Sequence, residues 1–569
     1  MGSDGVGVIG NVVRFGGQWL AAAALGLLAS GCGGGGGGGG GTPADVTLSG
    51  TVTFDFVPMG NGLDYGQTQA RPVRGATVEI VSGGAVLTTT KTSPTGSYSV
   101  TVPQNRSVFV RVKAQMQQTG APSRDFRVLD NTNSDALYAL DGPESSTGTA
   151  ASTRNLHAPS GWGGASYTSE RAAAPFAILD TVYEAITLLL TVDPAVSLPA
   201  LNLYWSTENR PALPADGIPD PMTGEIGTSF FAPGFGIFLL GAENVDTEEY
   251  DRHVIVHEWG HYFENELSRS DSTGGRHTRY DRLDMRTAFS EGLSNALSGI
   301  ALADSLYRDT SGPQQGMSFG FNIEGPSFLD SNSNPGWFSE ESIQEIVYDI
   351  VDANPDGPDQ LDMDFAAVYV TLRGGYRDSI ALTTIFSFID VLKTSNTAEA
   401  PLIDDIVNGQ SIDDVVDGYG TGESNNGGTL SGDVLPVYTT IAVNDPPVNV
   451  CSTDEFESAT GGNKLGSRQY LRFNVASSAT HTFTAVATVI PSGAVADPDL
   501  VLHQAGVLQV SEAAPGPTCS DSTPAGCIET FQRFMTPGDY VLEVYEWTNT
   551  QDDVPPIGRT CFDITVTQL

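Results

Sequence analysis

The sequence predicts a multidomain chain in which a central α+β domain stands between two all-β sandwiches. Apolar and polar residues alternate through 46–112 and again through 441–569, the period-2 pattern of half-buried strands. Between these stretches, Phe289, Leu293, Ala296, Leu297 and Ile300 form an apolar stripe at helical spacing. The length, 569 residues, suggests roughly four domains of about 150 residues each.

Composition narrows the classes. Hydrophobic residues make up 40%, which excludes a disordered acidic chain. The 27 Lys+Arg oppose 68 Asp+Glu, for a formal net charge of −41. No nucleic-acid partner is expected, because phosphate contacts need a basic face.

Residues 1–31 read as a leader. Arg14 precedes an apolar run from Leu20 to Ala29. That run is shorter than the about 20 residues a bilayer span needs and has the length of a signal-peptide core. Its end, Leu28-Ala29-Ser30-Gly31-Cys32, resembles a bacterial lipobox, which implies that Cys32 carries a lipid anchor in a membrane. An ordinary signal peptide with an incidental cysteine is the other reading. Residues 32–45 hold Cys32 and a tether containing nine glycines, Gly33 to Gly41. At about 5–6 Å × √n such a tract reaches roughly 17 Å. The residue after Cys32 is Gly33 and not Asp, which by resemblance to lipoprotein sorting signals favours the outer membrane and the cell surface.

Residues 46–140 form the first predicted sandwich. Val46, Leu48, Gly50, Val52 and Phe54 alternate with polar residues, as do Ala76-Thr-Val78 and Tyr98-Ser-Val100. The order of strands and turns, with Pro72-Val73-Arg74-Gly75 and Gly96-x-Tyr98, resembles the carboxypeptidase regulatory-like β-sandwich, an accessory module. Residues 141–166, rich in small polar residues, read as a linker. Residues 441–569 are strand-like again. Asp497-Pro498-Asp499 and Pro537-Gly538-Asp539-Tyr540 resemble the pre-peptidase C-terminal β-sandwich of secreted peptidases. Cys451, Cys519, Cys527 and Cys561 all fall here and allow three pairings. The expected pairs are Cys519–Cys527, closing a loop, and Cys451–Cys561, tying the ends of the domain. Disulfides fit an exported chain.

The chemistry lies in 167–440. Asp246 and Glu249 offer a capping box for a helix start. On that helix His257 and His261 are one turn apart on one face, where two imidazoles can share a metal, and Glu258 is rotated by one position. This is the H-E-x-x-H arrangement, with the glutamate placed to take a proton from bound water. Thirty residues after His261 comes Glu291, on a second predicted helix, with Asn295 one turn further on. A glutamate on a second helix after H-E-x-x-H resembles the thermolysin-like metallopeptidases, the gluzincins, whose fold is zincin-like.

That resemblance implies zinc as cofactor, with His257, His261 and Glu291 as ligands and Glu258 as general base. Asn295 stands where the family has a carboxylate that orients the first histidine; an amide can still accept from a histidine N–H. The family adds a Tyr or His donor to the oxyanion. Tyr348, 57 residues after Glu291, is the expected one, and His277 and Tyr280 are further candidates. The apolar strand Ile237–Leu240 stands where the family's edge strand pairs with an extended protein or peptide substrate. No third histidine follows as H-x-x-G-x-x-H, which excludes the metzincin pattern. The aminopeptidase motif G-x-M-E-N is absent, which points to an endopeptidase.

Calcium is a second candidate cofactor. Asp352, Asn354, Asp356 and Gly357 resemble the first half of a calcium loop, although Met363 stands where that loop has glutamate. The other reading is a polar turn. The competing class for the whole chain is a catalytically inactive surface adhesion or carbohydrate-binding lipoprotein on a zincin scaffold.

Overall fold

The computed structural model describes residues 44–215, 217–325, 334–353, 359–427, 434–456, 462–511, 519–551 and 554–569. The expected leader, Cys32 and the glycine tract lie outside the described residues, as does the middle of the suggested calcium loop, 354–358.

The chain is multidomain and rich in β-sheet, with seven α-helices among the described residues: α1 Ala174–Val192, α2 Arg252–Leu267, α3 Met285–Leu302, α4 Glu340–Asp349, α5 Phe365–Thr371, α6 Ile385–Ser395 and α7 Ala400–Gly409. The first strand, Asp45–Phe56, points Val46, Leu48, Val52 and Phe54 inward, as its alternation requires. It pairs antiparallel with Ser97–Pro103 and Gln69–Pro72. A second sheet of Thr77–Ser82, Ala85–Lys91 and Ser107–Lys113 accompanies it.

Two features correct the predicted boundaries. The supposed linker, 141–166, supplies strands to the sandwich: Ser152–Thr153 and Leu156–Ala158 run parallel to Asp45–Phe56. The strands Gln115–Gln118 and Arg124–Asp130 leave the sandwich for the central sheet. Its order is Phe230–Ala232, Gly236–Leu239, Leu201–Trp205, Arg124–Asp130, Gln115–Gln118. The chain thus passes from sandwich to central sheet and back, and one continuous hydrophobic core runs from Val46 through Phe126 and Ile255 to Phe388. Sequence alternation marks a strand but does not say which sheet receives it.

The edge of the central sheet also differs from expectation. Gly236–Leu239 is an inner strand, parallel to Leu201–Trp205 on one side and antiparallel to Phe230–Ala232 on the other. The edge is therefore Phe230–Ala232, which precedes the expected strand in the chain.

Helices α2, α3 and α4 pack in succession. Gly260 and Gly292 set the spacing, because both sit where helices nearly touch. A methyl at Gly260 would stand 2.9 Å from the Cα of Ser294, and one at Gly292 would stand 2.4 Å from the Cβ of Ile343. Helix α2 does not start at the expected capping box. Asp246–Thr247 is a short strand, and Glu249 is committed to a buried ion pair with Arg171. The cap residue is Asp251, whose carboxylate accepts from the Thr310 backbone amide at 2.6 Å.

The C-terminal sandwich has its own core. One sheet runs Tyr438–Thr440, Arg468–Val475, Gly538–Glu546, Pro498–His503, Val507–Val510; the other runs Val448–Ser452, Thr560–Gln568, Ala479–Val489, Ile528–Met535. Both expected disulfides form, Cys451–Cys561 across paired strands and Cys519–Cys527. They fit a place outside the cytoplasm.

Candidate metal centre

Helices α2 and α3 cross at Gly260 and Ser294 and so bring three ligating atoms together. The Nε2 atoms of His257 and His261 lie 3.1 Å apart. Glu291 Oε2 lies 3.2 Å from the first and 3.3 Å from the second. All three side chains are at most 3% exposed. Two imidazole nitrogens and a carboxylate oxygen converging in a dry site form a donor set that suits zinc, with room in its coordination for a further ligand. The Glu291 carboxylate is charged at neutral pH. Burial alone would raise its pKa, yet the neighbouring imidazoles, His261 first, hold it well below the usual carboxylate range.

The other ring nitrogens are fixed by hydrogen bonds. Asn295 Oδ1 accepts from His257 Nδ1 at 2.7 Å, and Asn295 Nδ2 donates to Gln344 Oε1 at 3.1 Å on α4. An amide locked in this way leaves the His257 Nε2 lone pair facing the centre. His261 Nδ1 lies 3.1 Å from Ser290 Oγ and 3.2 Å from Ser294 Oγ. Ser290 Oγ donates to Glu264 at 2.6 Å, and Tyr376 donates to the other oxygen of that carboxylate at 3.1 Å. Burial pushes Glu264 up to about 7. Gln344, Ser290, Ser294 and Glu264 escaped the sequence reading. The only signal for them is helical spacing, since Glu264 is three residues past His261 and Ser294 three past Glu291.

Glu258 lies on the same helix and is buried. Neither of its carboxylate oxygens has a hydrogen-bond partner among the described residues. Burial pushes it up to about 7; His257 opposes the rise and Glu291 adds to it. The backbone amide of Phe231, on the edge strand of the central sheet, also lies beside it.

Of the three candidate oxyanion donors, the structure brings His277 to the centre. Its Nε2 is 3.7 Å from Glu291 Oε2 and 3.1 Å from Glu340 Oε2 at the start of α4. Its Nδ1 donates to the Gly275 carbonyl at 3.1 Å. Burial would lower its pKa, but Glu291 and Glu340 raise it to about 9. Tyr280 is 47% exposed and accepts from Arg279 at 2.5 Å, away from the ligands.

Tyr348 is a correction. Helices α3 and α4 run side by side in the same direction. Gly292 faces Ile343, Asn295 bonds Gln344, and Gly299 faces the Tyr348 ring, which a methyl at Gly299 would meet at 2.8 Å. Tyr348 is therefore carried about two helical turns past Glu291, towards Ser305 and the small cluster of Val254, Tyr307, Phe321 and Ile323.

No protein-family model matches the chain, and no curated protein matches it. Solved structures resemble parts of it at low identity. The pre-peptidase C-terminal domain of a collagenase from Bacillus anthracis is 16% identical, covers 23% of this chain and 93% of its own, and has a TM-score of 0.15. CorA, a surface-associated copper-binding protein important in Methylomicrobium album BG8 copper acquisition, is 10% identical, with 23% and 98% covered and a TM-score of 0.16. PliG of Aeromonas hydrophila, a periplasmic inhibitor of g-type lysozyme, is 12% identical, with 23% and 96% covered and a TM-score of 0.12. At these scores none of them bears on what this chain does.

Proposed function

We propose that the chain is an exported, lipid-anchored zinc metallopeptidase of the thermolysin-like kind, cleaving within protein or peptide substrates. One observation carries the reading: His257, His261 and Glu291 converge through atoms 3.1–3.3 Å apart, with the unpartnered carboxylate of Glu258 beside them. Zinc, when bound, acidifies water and polarises the scissile carbonyl.

The chain's own residues supply the rest. His257, His261 and Glu291 hold the cation. Asn295 and Gln344 fix the tautomer of one imidazole, and Ser290, Ser294 and Glu264 fix that of the other. The Glu258 carboxylate takes the proton from the attacking water and passes it to the leaving amine. His277, oriented through Nδ1 by the Gly275 carbonyl, would turn its Nε2–H from Glu340 to the developing oxyanion in place of Tyr348. The edge strand Phe230–Ala232, beside Glu258, is the element against which an extended substrate would lie. Cys32 and the glycine tract would hold the domains clear of an outer membrane.

A second reading, a zinc-binding but inactive surface lipoprotein, is favoured by one observation: the three ligands and Glu258 are all nearly fully buried. Zinc analysis combined with cleavage of a mixed peptide library separates the two. The peptidase reading expects bound zinc, a defined set of cleaved bonds, and a Glu258→Gln variant that keeps zinc but loses cleavage. Cleavage by that variant at the wild-type rate would sink the mechanism, and zinc without cleavage by the wild type would favour the second reading.

A further inference from the structure

A second oxygen-lined cluster lies behind the metal centre, on a small four-stranded sheet that no part of the peptidase chemistry uses. Its strands run Gly241–Ala242, Asp246–Thr247, Leu306–Ser311, Met317–Asn322. Asp246 pairs directly with Ser311, which sets Glu248 and Asp309 close together across the same strands. One carboxylate oxygen from each of Asp246, Glu248 and Asp309 lies within 4.8 Å of the others. Asp246 and Glu248 are buried, and so is the Oδ1 atom of Asp309.

Burying carboxylates together is costly unless a cation or shared protons compensate. The groups acting most strongly on Glu248 are four other carboxylates: Asp309, Asp246, Asp251 and Glu258. Asp251 is occupied by Thr310, whose amide and hydroxyl both donate to it. Glu248 has one weak contact, from the Ser229 hydroxyl at 3.4 Å, and its Oε2 has no hydrogen-bond partner among the described residues.

The Tyr307 side chain is an independent pointer. It is 1% exposed, and its hydroxyl has no hydrogen-bond partner among the described residues. A buried tyrosine hydroxyl ordinarily finds one. The groups nearest it electrostatically are Asp309 and Glu248. Tyr307 stands two residues before Asp309 on the same strand, so the two side chains share one face of the sheet.

We infer that Asp246, Glu248 and Asp309, with the Tyr307 hydroxyl, form a binding site for a hard divalent cation, calcium by preference. The donor set is all oxygen, unlike the two-nitrogen zinc centre, and oxygen-only sets select calcium or magnesium. Calcium holds its ligands at about 2.3–2.6 Å, so oxygens on opposite sides of it stand about 4.6–5.2 Å apart. One oxygen from each acid lies inside that span, and a set of three carboxylates suits calcium, which takes about six to eight oxygen ligands, better than magnesium, which keeps several waters and binds through one or two carboxylates. The site is distinct from the loop at 352–359. Its effect is mechanical: the cation fastens the strand Leu306–Ser311 to the segment that leads into α2. The inference does not rest on the peptidase reading.

The test uses the full chain, stripped of calcium with EGTA, freed of the chelator, reloaded with zinc and titrated with calcium in a calorimeter. Saturable binding is expected, together with a Tm rise of about 2–4 °C. Glu248→Gln and Asp309→Asn should each weaken binding at least about tenfold while zinc content stays unchanged. Terbium as a probe, excited through tyrosine, should luminesce in the wild type and lose most of that signal in Tyr307→Phe. No saturable calcium binding would overturn the inference and leave shared protons as the explanation of the cluster. So would binding that both carboxylate variants retain in full, which would place the ion elsewhere.

Discussion

Arg286 and Glu543 stand 257 positions apart in the chain and meet in a buried two-pronged ion pair, Nη1 to Oε2 at 3.0 Å and Nη2 to Oε1 at 3.1 Å. Arg286 is on α3, five residues before Glu291, and Glu543 is on a central strand of the C-terminal sandwich. Arg468 and His503 reach the same carboxylate at 2.7 and 2.9 Å. Tyr470 donates to Asp284, which caps α3. Glu543→Ala would take the buried Arg468 guanidinium's carboxylate away and leave Arg286 with Asp284 alone. The expected loss is about 3–5 kcal/mol of stability, read by urea denaturation. Removing residues 441–569 should cost the chain its zinc as well, so a truncated form that still held zinc would show the sandwich to be dispensable.

Asn295 should decide how firmly zinc is held. Asn295→Ala removes the acceptor for His257 Nδ1 and strands Gln344. Zinc affinity should fall about 10–100-fold in a competition with a coloured chelator, while Asn295→Asp should hold zinc at least as well as the wild type. Equal affinity in the alanine variant would remove Asn295 from the site.

His277 and Tyr348 are separable by kinetics. His277→Ala should lower kcat by about 10²–10³ with zinc retained, the usual cost of one oxyanion donor. Tyr348→Phe should leave kcat unchanged, since its hydroxyl lies by Ser305. The reverse pattern would restore the tyrosine to the mechanism.

Helix spacing is the fourth handle. Gly292→Ala drives a methyl to 2.4 Å from the Cβ of Ile343 and 2.7 Å from the Glu340 carbonyl. Backbone cannot yield as a side-chain tip does, so a loss of about 1–3 kcal/mol and weaker zinc binding are expected. An unchanged Tm would mean that α4 moves freely.

The C-terminal sandwich should lose stability as pH rises. Burial pushes Asp499 and Glu546 each up to about 7, and neighbouring carboxylates, Asp497 among them, add to the rise. The folded state therefore holds protons that the unfolded chain releases near its ordinary carboxylate values. Stability from these groups falls between about pH 4 and 7. Melting in calcium-free buffer without chelator should give a lower Tm at pH 8 than at pH 5, and Asp499→Asn with Glu546→Gln should flatten the slope.

The candidate ligand triad was legible because its geometry is local. Two histidines at i and i+4 share a helix face whatever surrounds them, and Asn295 follows Glu291 by the same interval. Tyr348 was misplaced because its position depends on the register of α4 against α3, set by Gly292, Gly299 and Ile343 together. The inner position of Gly236–Leu239 was hidden for a related reason: Phe230–Ala232 is only three residues long and reads as part of a loop. The expected capping box failed because Glu249 is taken by Arg171, 78 residues earlier in the chain. The cation cluster was invisible because its acids gather only when two strands pair.

The passage of Gln115–Gln118 and Arg124–Asp130 out of the first sandwich and into the central sheet has a consequence for inheritance. A module strung on a flexible connector can be gained, lost or traded between genes without harm to its neighbours. Here any recombination point between Asp45 and Ala158 would break a sheet on one side or the other. The N-terminal sandwich must travel with the candidate metal centre as a single heritable block, and a protease should release it only after the whole block has unfolded.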